Sequence, residues 1–424
     1  MKKNTKSRRP RHPRARRSSK AGRSPLGGIV TLREQLRESL IDQIRSAVAA
    51  TAHALVEDEV LQLVGEPWSR KGPSPLRRNG ATASTIYLDG EPCSLVRARV
   101  RDRNKGCEVP LQSLRALSSR DALDADVKRR LIRGLSTRDY DDALGALSDG
   151  LGLKKSAVSA AFVRASKKDL DLLNGRTLAE QTFVAVFIDG TFFADHTCLV
   201  ALGITQDGKK VVLGVREGAS ENSALVKDLL ADLVERGLAL TRRALFVLDG
   251  SKALGKAVRE TFGRQAVIQR CILHKRRNVL SYLPPSRQAE ATRRMNAAWC
   301  LANYAEALEE LRKVRRWLES ISESAAASLG EALEETLTVH RLGVSGALRK
   351  TLLTTNPVES AIEVVKHHAR RVKRWNGATM VLRWVGSGLV RAELQFRRVK
   401  GHERIQQLVS ALENVSLSEG KDVA

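Results

Sequence analysis

The sequence predicts an α/β core that carries an all-helical insertion. Three apolar runs follow closely on one another, and Asp207-Gly208, a strong hairpin signal, separates the second run from the third. A stripe of leucines then predicts a helix over 221–236 that ends at Gly237, before a further apolar run at 243–248. The three runs, which we expect to form successive antiparallel strands, are 183–188, 198–204 and 211–215.

The predicted order of elements is strand, strand, strand, helix, strand, helix, because a second helix at about 251–262 follows the fourth strand. This βββαβα order is that of the RNase H-like fold, also called retroviral integrase-like. A short strand at Ala266-Val267-Ile268 follows, and we place the first part of the core at 180–282.

The chain becomes entirely helical in pattern from Leu283-Pro284-Pro285 onward, and it is rich in Ala, Leu, Glu and Arg. This pattern predicts an all-helical insertion over 283–351 that interrupts the core. A last helical block over 352–413 is expected to complete the core. It carries 11 Lys or Arg between positions 364 and 404, against only two acidic residues.

The charge balance indicates a polyanionic partner. The 424 residues contain 73 Lys plus Arg against 47 Asp plus Glu, which gives a net charge of +26 and a pI near 10.4. Residues 1–27 hold 11 of the basic residues and no acid, and they predict a disordered basic arm. Subtracting these 11 charges from +26 leaves +15, so the rest of the chain is basic too. Nucleic acid is the favoured partner, and an acidic membrane surface is the weaker alternative.

Composition also excludes several classes of protein. No run approaches the roughly 20 apolar residues that span a bilayer, so we expect no membrane partner and a cytoplasmic protein. The five cysteines form no C-x-x-C pair and are odd in number, which argues against a disulfide framework and a four-ligand zinc site.

The region 28–115 contains mixed signals, and the sequence does not assign it a role. Leu32, Leu36 and Leu40 follow a helical period. Residues 86–100 predict a short hairpin around Asp89-Gly90.

Residues 116–176 predict a helix-turn-helix DNA-binding domain. Ser136-Thr137-Arg138-Asp139 resembles a capping box, Gly150 and Gly152 break the helical period, and a second helix resumes over 156–165. The polar side of that helix is where phosphate and base-edge contacts are made. The candidate DNA-binding residues here are Lys154, Lys155, Ser156, Ser159 and Arg164. The alternative is an ordinary helical hairpin that does not touch DNA.

Three acidic residues stand where a nucleotidyl-transfer enzyme needs metal ligands. Asp189 follows the first apolar run, Asp249 follows the fourth, and Glu359 opens a helix that begins at Asn356-Pro357. Two strand-end carboxylates and one helical carboxylate can converge on a pair of Mg²⁺ or Mn²⁺ ions, which would clamp the attacking and leaving oxygens of a phosphodiester.

Each acid also has an ordinary explanation. A polar residue such as Asp189 can simply end a strand, and an acid placed like Glu359 can cap a helix. Glu363, one turn later, is the substitute ligand if Glu359 is a cap. Cys271 and His274 form a single C-x-x-H, which is weak evidence for zinc, and either residue alone is more often buried structure.

Two basic clusters are candidates for phosphate contact, with a solvated helix face as the alternative. The clusters are Lys275, Arg276 and Arg277, and Lys366, Arg370, Arg371, Lys373 and Arg374. Trp375 and Trp384 have helical spacing among aliphatic residues, and we expect them to belong to the core.

The chain resembles bacterial insertion-sequence transposases of the DDE class, specifically the Mutator-like group. The resemblance covers about residues 115–400, with 60 positions between the two aspartates and 110 before the glutamate. The N-terminal third resembles the group less. The matching motifs, in order, are Phe187-Ile188-Asp189-Gly190, Val247-Leu248-Asp249-Gly250, Gln269-Arg270-Cys271-Ile272-Leu273-His274 with its basic continuation, and Thr354-Thr355-Asn356-Pro357-Val358-Glu359-Ser360.

The resemblance implies an enzyme that cuts the ends of its insertion sequence and joins the freed 3′-hydroxyl to target DNA. It implies that Asp189, Asp249 and Glu359 hold the metal ions and that His274 lies beside them and contacts the scissile phosphate. The partners would be double-stranded DNA, as terminal repeats and target, and further copies of the chain. Two alternatives stay open: a structure-selective nuclease without strand transfer, and a domesticated or inactive DNA-binding regulator.

Overall fold

The computed structural model describes residues 25–67, 74–88, 91–136, 155–218 and 223–414, and the chain divides into two units, Met1–Ser119 and Arg120–Ala424. The mixed α/β class predicted from sequence is confirmed. No helix of the described residues is long and apolar enough to cross a membrane. The basic arm lies almost entirely outside the described residues, and the finer division into six segments stays a prediction.

The first unit packs a long helix against a small antiparallel sheet of order β1-β2-β3. Val56 and Val60 of the helix are buried against Ile86 and Val100 of the strands, which gives this unit its own core. The predicted hairpin is present, with Leu88 paired to Glu91 across positions 89 and 90, which lie outside the described residues. The elements are α1 Pro25–Val64, β1 Leu76–Leu88, β2 Glu91–Asp102, β3 Cys107–Glu108 and α2 Gln112–Leu117.

The second unit begins with two packed helices, α3 Asp121–Ile132 and α4 Lys155–Gly175. Val127 and Leu131 of α3 meet Phe162 of α4 in a small buried cluster. The first helix of the predicted helix-turn-helix, which follows the capping box, and the turn at Gly150 and Gly152 fall within 137–154, outside the described residues, so this motif stays a prediction.

A five-stranded sheet follows, in the order β6-β5-β4-β7-β8. As predicted, the first three strands pair in an antiparallel manner, β5 with β4 on one side and with β6 on the other. Strands β4, β7 and β8 run parallel. The predicted alternation of strands and helices is also present. The elements are β4 Phe183–Phe193, β5 His196–Thr205, β6 Lys210–Gly218, α5 Ser223–Glu235, β7 Leu240–Leu248, α6 Lys252–Phe262 and β8 Ala266–Arg270.

Helices cover both faces of this sheet, which is why its central strand is a continuous apolar run rather than an alternating one. Val186 and Ile188 face α5 and α6, whereas Phe187 faces a cluster formed largely by C-terminal helices. Those covering helices are α13 Asn356–Ala369, α14 Ala378–Glu393 and α15 Ile405–Glu413.

The segment 283–351 is helical throughout its regular elements, as predicted, and encloses a separate core that contains Met295, Trp299 and Leu311. Helix α7 leads from β8 into this segment. The helices are α7 Ile272–Ser281, α8 Pro285–Cys300, α9 Tyr304–Glu319, α10 Glu323–Gly330, α11 Thr338–Arg341 and α12 Gly346–Leu352.

Candidate active site

Asp189 and Asp249 lie at the same edge of the sheet. Ile188 of β4 pairs with Leu248 of β7, and the two strands are parallel. The residues that follow this pair, Asp189 and Asp249, therefore lie side by side. Strand β4 continues to Phe193 because Asp189 and its successors still pair with β5. Asp189 is therefore inside a strand rather than at its end, and it is 5% exposed. Its Oδ1 accepts a hydrogen bond of 3.0 Å from the Gly190 amide.

A tight turn holds Asp249. The Ser251 amide donates to Asp249 Oδ1 over 2.8 Å, which is the local bond by which an Asp stabilises a turn. Gly250 has φ +108°, and a Cβ there would lie 2.6 Å from Arg270 Nε. Only glycine fits this position, so the Asp-Gly pair follows from the geometry of the turn.

Glu359 reaches the same region from the first turns of α13. Its Oε1 accepts a 2.8 Å hydrogen bond from the Thr355 hydroxyl. Thr355 is the residue that precedes the helix, and Glu359 is the fourth helical residue rather than the third. A capping box needs the acid at the third position, bonded to the backbone amide of the cap residue. The helix-cap interpretation of Glu359 is therefore wrong, and Pro357 is the second helical residue, not the first.

His274 completes the cluster. One ligand atom each from Asp189, His274 and Glu359 lies within 4.8 Å of the others, a group that does not include Asp249. His274 Nδ1 lies 4.0 Å from Glu359 Oε1. The substitute ligand Glu363 does not reach the cluster, because its side chain is 73% exposed and lies 3.7 Å from Lys366.

Thr355, which is not among the site residues predicted from sequence, connects these groups. Its hydroxyl lies 3.4 Å from His274 Nδ1, and its amide donates to Cys271 Sγ over 3.4 Å. The fully buried Cys271 is in turn held at the sheet edge, where its amide donates to the Leu248 carbonyl over 2.8 Å. The available signal was the position of Thr355, directly before the helix that carries Glu359.

The site concentrates negative charge in a poorly solvated place. Burial raises the pKa of Asp189 to about 7; the charge of His274 opposes this rise, and the charges of Asp249 and Glu359 add to it. The hydrogen bond to Cys271 raises the pKa of His274 to about 9, against the effect of burial and with help from the charges of Cys271, Asp189 and Asp249. Carboxylates that repel one another in a buried site are a donor set suited to hard divalent cations.

Lys275 does not lie on the surface, contrary to the prediction that it contacts DNA. Its side chain is 2% exposed, and its Nζ donates to the carbonyls of Ser328 and Glu331 over 2.6 and 2.7 Å. An ammonium bonded inside the helical insertion cannot reach a phosphate. The neighbouring Arg276 donates to Asn296 over 2.8 Å, whereas Arg277 is exposed, with Nη1 3.5 Å from His274 Nε2.

Arg164 has a structural partner as well. Its guanidinium makes two hydrogen bonds of 2.7 Å to Asp124, whose side chain is only 4% exposed. This pair joins α4 to α3, while the arginine side chain is 42% exposed, and its contact with DNA stays a prediction. Lys155, Ser156 and Ser159 are exposed on α4, while Lys154 lies outside the described residues.

The second basic cluster is exposed, as a phosphate-binding surface requires. Lys366 and Arg370 belong to the end of α13 and its cap, and Arg370 Nη1 lies 2.6 Å from His367 Nε2. Arg371, Lys373 and Arg374 follow on the surface between α13 and α14. Trp375 and Trp384 are partly buried against core clusters, which agrees with the prediction.

Comparison with known proteins identifies the family. The family described as "Transposase, Mutator family" matches residues 29–398. The chain is 27% identical over 57% of its length to the transposase for insertion sequence element IS6120 of Mycolicibacterium smegmatis, covering 75% of that protein. It is 24% identical over 79% of its length to the transposase for IS905 of Lactococcus lactis subsp. lactis, covering 85% of that protein.

A third relative is the transposase for ISRM5 of Rhizobium meliloti, 26% identical over 81% of this chain and 86% of that protein. Among solved structures, the Drosophila P element transposase strand transfer complex aligns at 10% identity over 73% of this chain and 85% of that chain. Its TM-score of 0.26 is too low to establish a shared fold. The family match across residues 29–398 covers most of the sequence and is sufficient to assign the family. The chain belongs to the Mutator family of transposases.

Proposed function

We propose that this chain binds the terminal inverted repeats of its insertion sequence, hydrolyses phosphodiester bonds at the ends, and joins each freed 3′-hydroxyl to target DNA. The observation that carries the proposal is the convergence of Asp189 and Glu359 with His274, beside the strand edge from which Asp249 also emerges. Carboxylates brought together from two strands and a helix serve no evident packing purpose, since their mutual repulsion opposes folding.

We propose further that the core is RNase H-like. The support is the order β6-β5-β4-β7-β8, with three antiparallel strands followed by two parallel ones, and helices on both faces. In this arrangement Ile188 of β4 pairs with Leu248 at the end of β7, so Asp189 lies beside the point where Asp249 leaves the sheet.

Asp189, Asp249 and Glu359 would hold two Mg²⁺ or Mn²⁺ ions. Bound there, such ions supply Lewis-acid activation of water and of the scissile phosphate. Burial, with added repulsion from Asp249 and Glu359, raises the pKa of Asp189, and this observation fits the ions because added positive charge relieves the repulsion. The protein's own part is to hold the carboxylates in place through the Gly190 amide, the Ser251 amide and the Thr355 hydroxyl.

His274 would donate a hydrogen bond to a nonbridging oxygen of the scissile phosphate. A pKa of about 9 keeps its imidazole protonated at neutral pH, and a charged donor forms the stronger bond to a phosphate oxygen. Arg277, exposed beside His274 Nε2, would extend this positive surface toward the neighbouring phosphates.

The remaining basic surface would hold DNA without reading its sequence. The basic arm and the residues from Lys366 to Arg374 would contact phosphates, with an affinity that falls steeply with salt. The exposed start of α4 would contribute to recognition of the terminal repeats. Since two ends must be joined in one event, we expect copies of the chain to assemble on DNA, in the bacterial cytoplasm.

The test is cleavage and strand transfer, with Mg²⁺, on DNA that carries the terminal repeats flanking this gene. We expect Asp189→Asn, Asp249→Asn and Glu359→Gln each to lower both rates by roughly a hundredfold or more, because metal ligation supplies several kcal/mol. DNA affinity should be unchanged. Glu363→Gln is the matched control, because its carboxylate lies outside the cluster.

Three results would contradict the proposal in different ways. Cleavage without joining indicates a nuclease on the same scaffold. Binding of the ends without either reaction, under Mg²⁺ and Mn²⁺, indicates a DNA-binding regulator. Full activity of Glu359→Gln would remove Glu359 from the ligand set.

A further inference from the structure

A cavity of about 400 Å³ lies outside the carboxylate cluster, between the α3–α4 pair and the segment that leads into α14. One side of it is apolar, formed by Phe162 and Val163 of α4 and by Met380 and Trp384 of α14. The rings of Phe162 and Trp384 pack with centroids 4.4 Å apart, so the apolar wall is held in place by the core behind it. A volume of this size is in the range of small-molecule sites, which is about 300–1,000 Å³.

The other side of the cavity is strongly basic. Its described lining contains Arg371, Lys373, Arg374 and Arg383, and neither Asp nor Glu stands among these described lining residues. Within the part of the chain that the structure describes, Arg383 Nε is buried without a hydrogen-bond partner. Arg216, by contrast, is paired with two aspartates elsewhere in the same unit. Four cations around one cavity favour an anionic occupant.

We infer that this basic and aromatic cavity receives one unstacked nucleotide of the transposon-end DNA, with its base against Trp384 and its phosphate among the cations. The inference rests on the proposed function, since it takes terminal-repeat DNA as the ligand. A phosphate alone would leave the apolar wall in water. An aromatic surface beside cations is the combination that proteins use to hold unpaired nucleotides, because every base has a π-face to stack.

Helix α13 connects this cavity to the carboxylate cluster. Ten residues separate Glu359 from the end of the helix at Ala369, which is about 15 Å at 1.5 Å per residue. A stacked strand covers that length in about four or five nucleotides at 3.4 Å per step. For a strand that follows α13, we therefore place the unstacked nucleotide about that number of positions from the cleaved phosphate. Because the protein must unstack this base to bind, it would bind most tightly to ends at which that base pair opens easily.

The experiment introduces a single mismatch at each position in turn near the cut site of terminal-repeat DNA, because a mismatched base costs less to unstack. The full-length protein is added without divalent metal, so that binding is seen without cleavage. We expect the dissociation constant to fall several-fold for a mismatch at one position, about four or five nucleotides from the cut. Trp384→Leu, Arg383→Gln and Lys373→Gln should each reduce that gain in affinity at least by half.

Lys373 is exposed, so its substitution tests the cavity even if Trp384→Leu disturbs folding. Arg312→Gln, an exposed arginine of α9, is the control for loss of one positive charge and should keep the full gain in affinity. Asp189→Asn should also keep this gain, although it abolishes cleavage when Mg²⁺ is present. Equal affinity for the mismatched and the fully paired DNA at every position, from a protein that cuts and joins the ends with Mg²⁺, overturns the cavity inference alone. A gain at one position from a protein that does not cut with Mg²⁺ supports the cavity and contradicts the proposed activity, and a failure to bind repeat DNA overturns both.

Discussion

Thr355 donates its hydroxyl hydrogen to Glu359 Oε1 over 2.8 Å. Thr355 directly precedes α13, and Glu359 lies four residues later, in the first turns of that helix. The same hydroxyl lies 3.4 Å from His274 Nδ1. One small side chain thus sets the orientation of a proposed metal ligand and of the imidazole beside it. This relationship joins the end of the helical insertion to the sheet edge, where Asp189 and Asp249 emerge.

Thr355→Val should lower the rate of end cleavage by about tenfold, because a hydrogen bond to a charged group contributes about 1.5 kcal/mol or more and about 1.4 kcal/mol corresponds to tenfold. Thr355→Ser keeps the hydroxyl and should retain most activity. The measurement is single-turnover cleavage of terminal-repeat DNA at saturating protein. Equal rates for the Val and Ser variants would show that the hydroxyl does not orient the site.

Asp189→Asn should raise the Tm of the protein in the absence of divalent metal. It should also reduce the increase in Tm that Mg²⁺ produces. The wild-type carboxylate is 5% exposed and lies in the field of Asp249 and Glu359, so neutralising it relieves repulsion. A gain of about 1 kcal/mol corresponds to a rise in Tm of about 2–4 °C. Calorimetry at pH 8 with EDTA, and then with Mg²⁺, measures both effects.

Wild type should gain Tm on addition of Mg²⁺, because a ligand that binds only the folded state stabilises it. Asp189→Asn should gain much less, and Glu363→Gln as much as wild type. A lower Tm for Asp189→Asn in EDTA, together with an undiminished Mg²⁺ response, would place the cation elsewhere.

Arg277 and Lys275, two residues apart, should respond differently to loss of charge. Arg277→Gln should weaken binding to any DNA and reduce the slope of log affinity against log salt by about 1, as expected for one lost phosphate contact. Lys275→Met should leave that slope unchanged and lower the free energy of unfolding by about 2 kcal/mol, because two buried carbonyls lose their donor. Fluorescence anisotropy at several salt concentrations and urea denaturation distinguish them. A reduced salt slope for Lys275→Met would contradict the buried position.

His340 should make the second unit less stable in mild acid. Burial lowers the pKa of His340 below its ordinary value of 6.5, while a hydrogen bond to the Trp299 carbonyl opposes this and the charge of Arg349 adds to it. The unfolded chain therefore takes up a proton, as pH falls through about 6.5, that the folded chain does not. The free energy of unfolding should fall between pH 7 and pH 5.

His340→Gln removes the titrating group and should show a weaker decrease over the same interval. Urea denaturation at pH 7, 6 and 5 gives the comparison. The decisive quantity is the slope of the free energy of unfolding against pH, compared between wild type and His340→Gln, since other groups titrate equally in both proteins. Parallel pH profiles would mean that His340 titrates alike in the folded and unfolded states.

Much of the fold was predictable because its signals are local. Apolar runs at 183–188 and 243–248 specify strands buried on both faces, and Asp207-Gly208 specifies the hairpin between the second and third strands. Asp189 and Asp249 were selected because each follows an apolar run, although β4 continues past Asp189 to Phe193 and only β7 ends before its aspartate. Asp249 is also followed by the glycine that its turn requires.

The surroundings of individual charges were not predictable in this way. Lys275 and Arg277 belong to one short basic run, yet one is buried against Ser328, 53 positions away, and the other is exposed. Arg164 is paired with Asp124, 40 positions earlier in the chain. Thr355 and His274 meet across 81 positions.

By itself the sequence determined the α/β class and the family and supplied the three candidate carboxylates, because periodicity, turn chemistry and motif order are properties of neighbouring residues. Tertiary structure alone decided that Glu359 faces Asp189 rather than capping its helix, that Thr355 links Glu359 to His274, and which cations face water. The reason is physical. Whether a charged group is solvated, paired or buried depends on atoms that only folding brings within a few ångströms, and the local pattern carries no record of those distances.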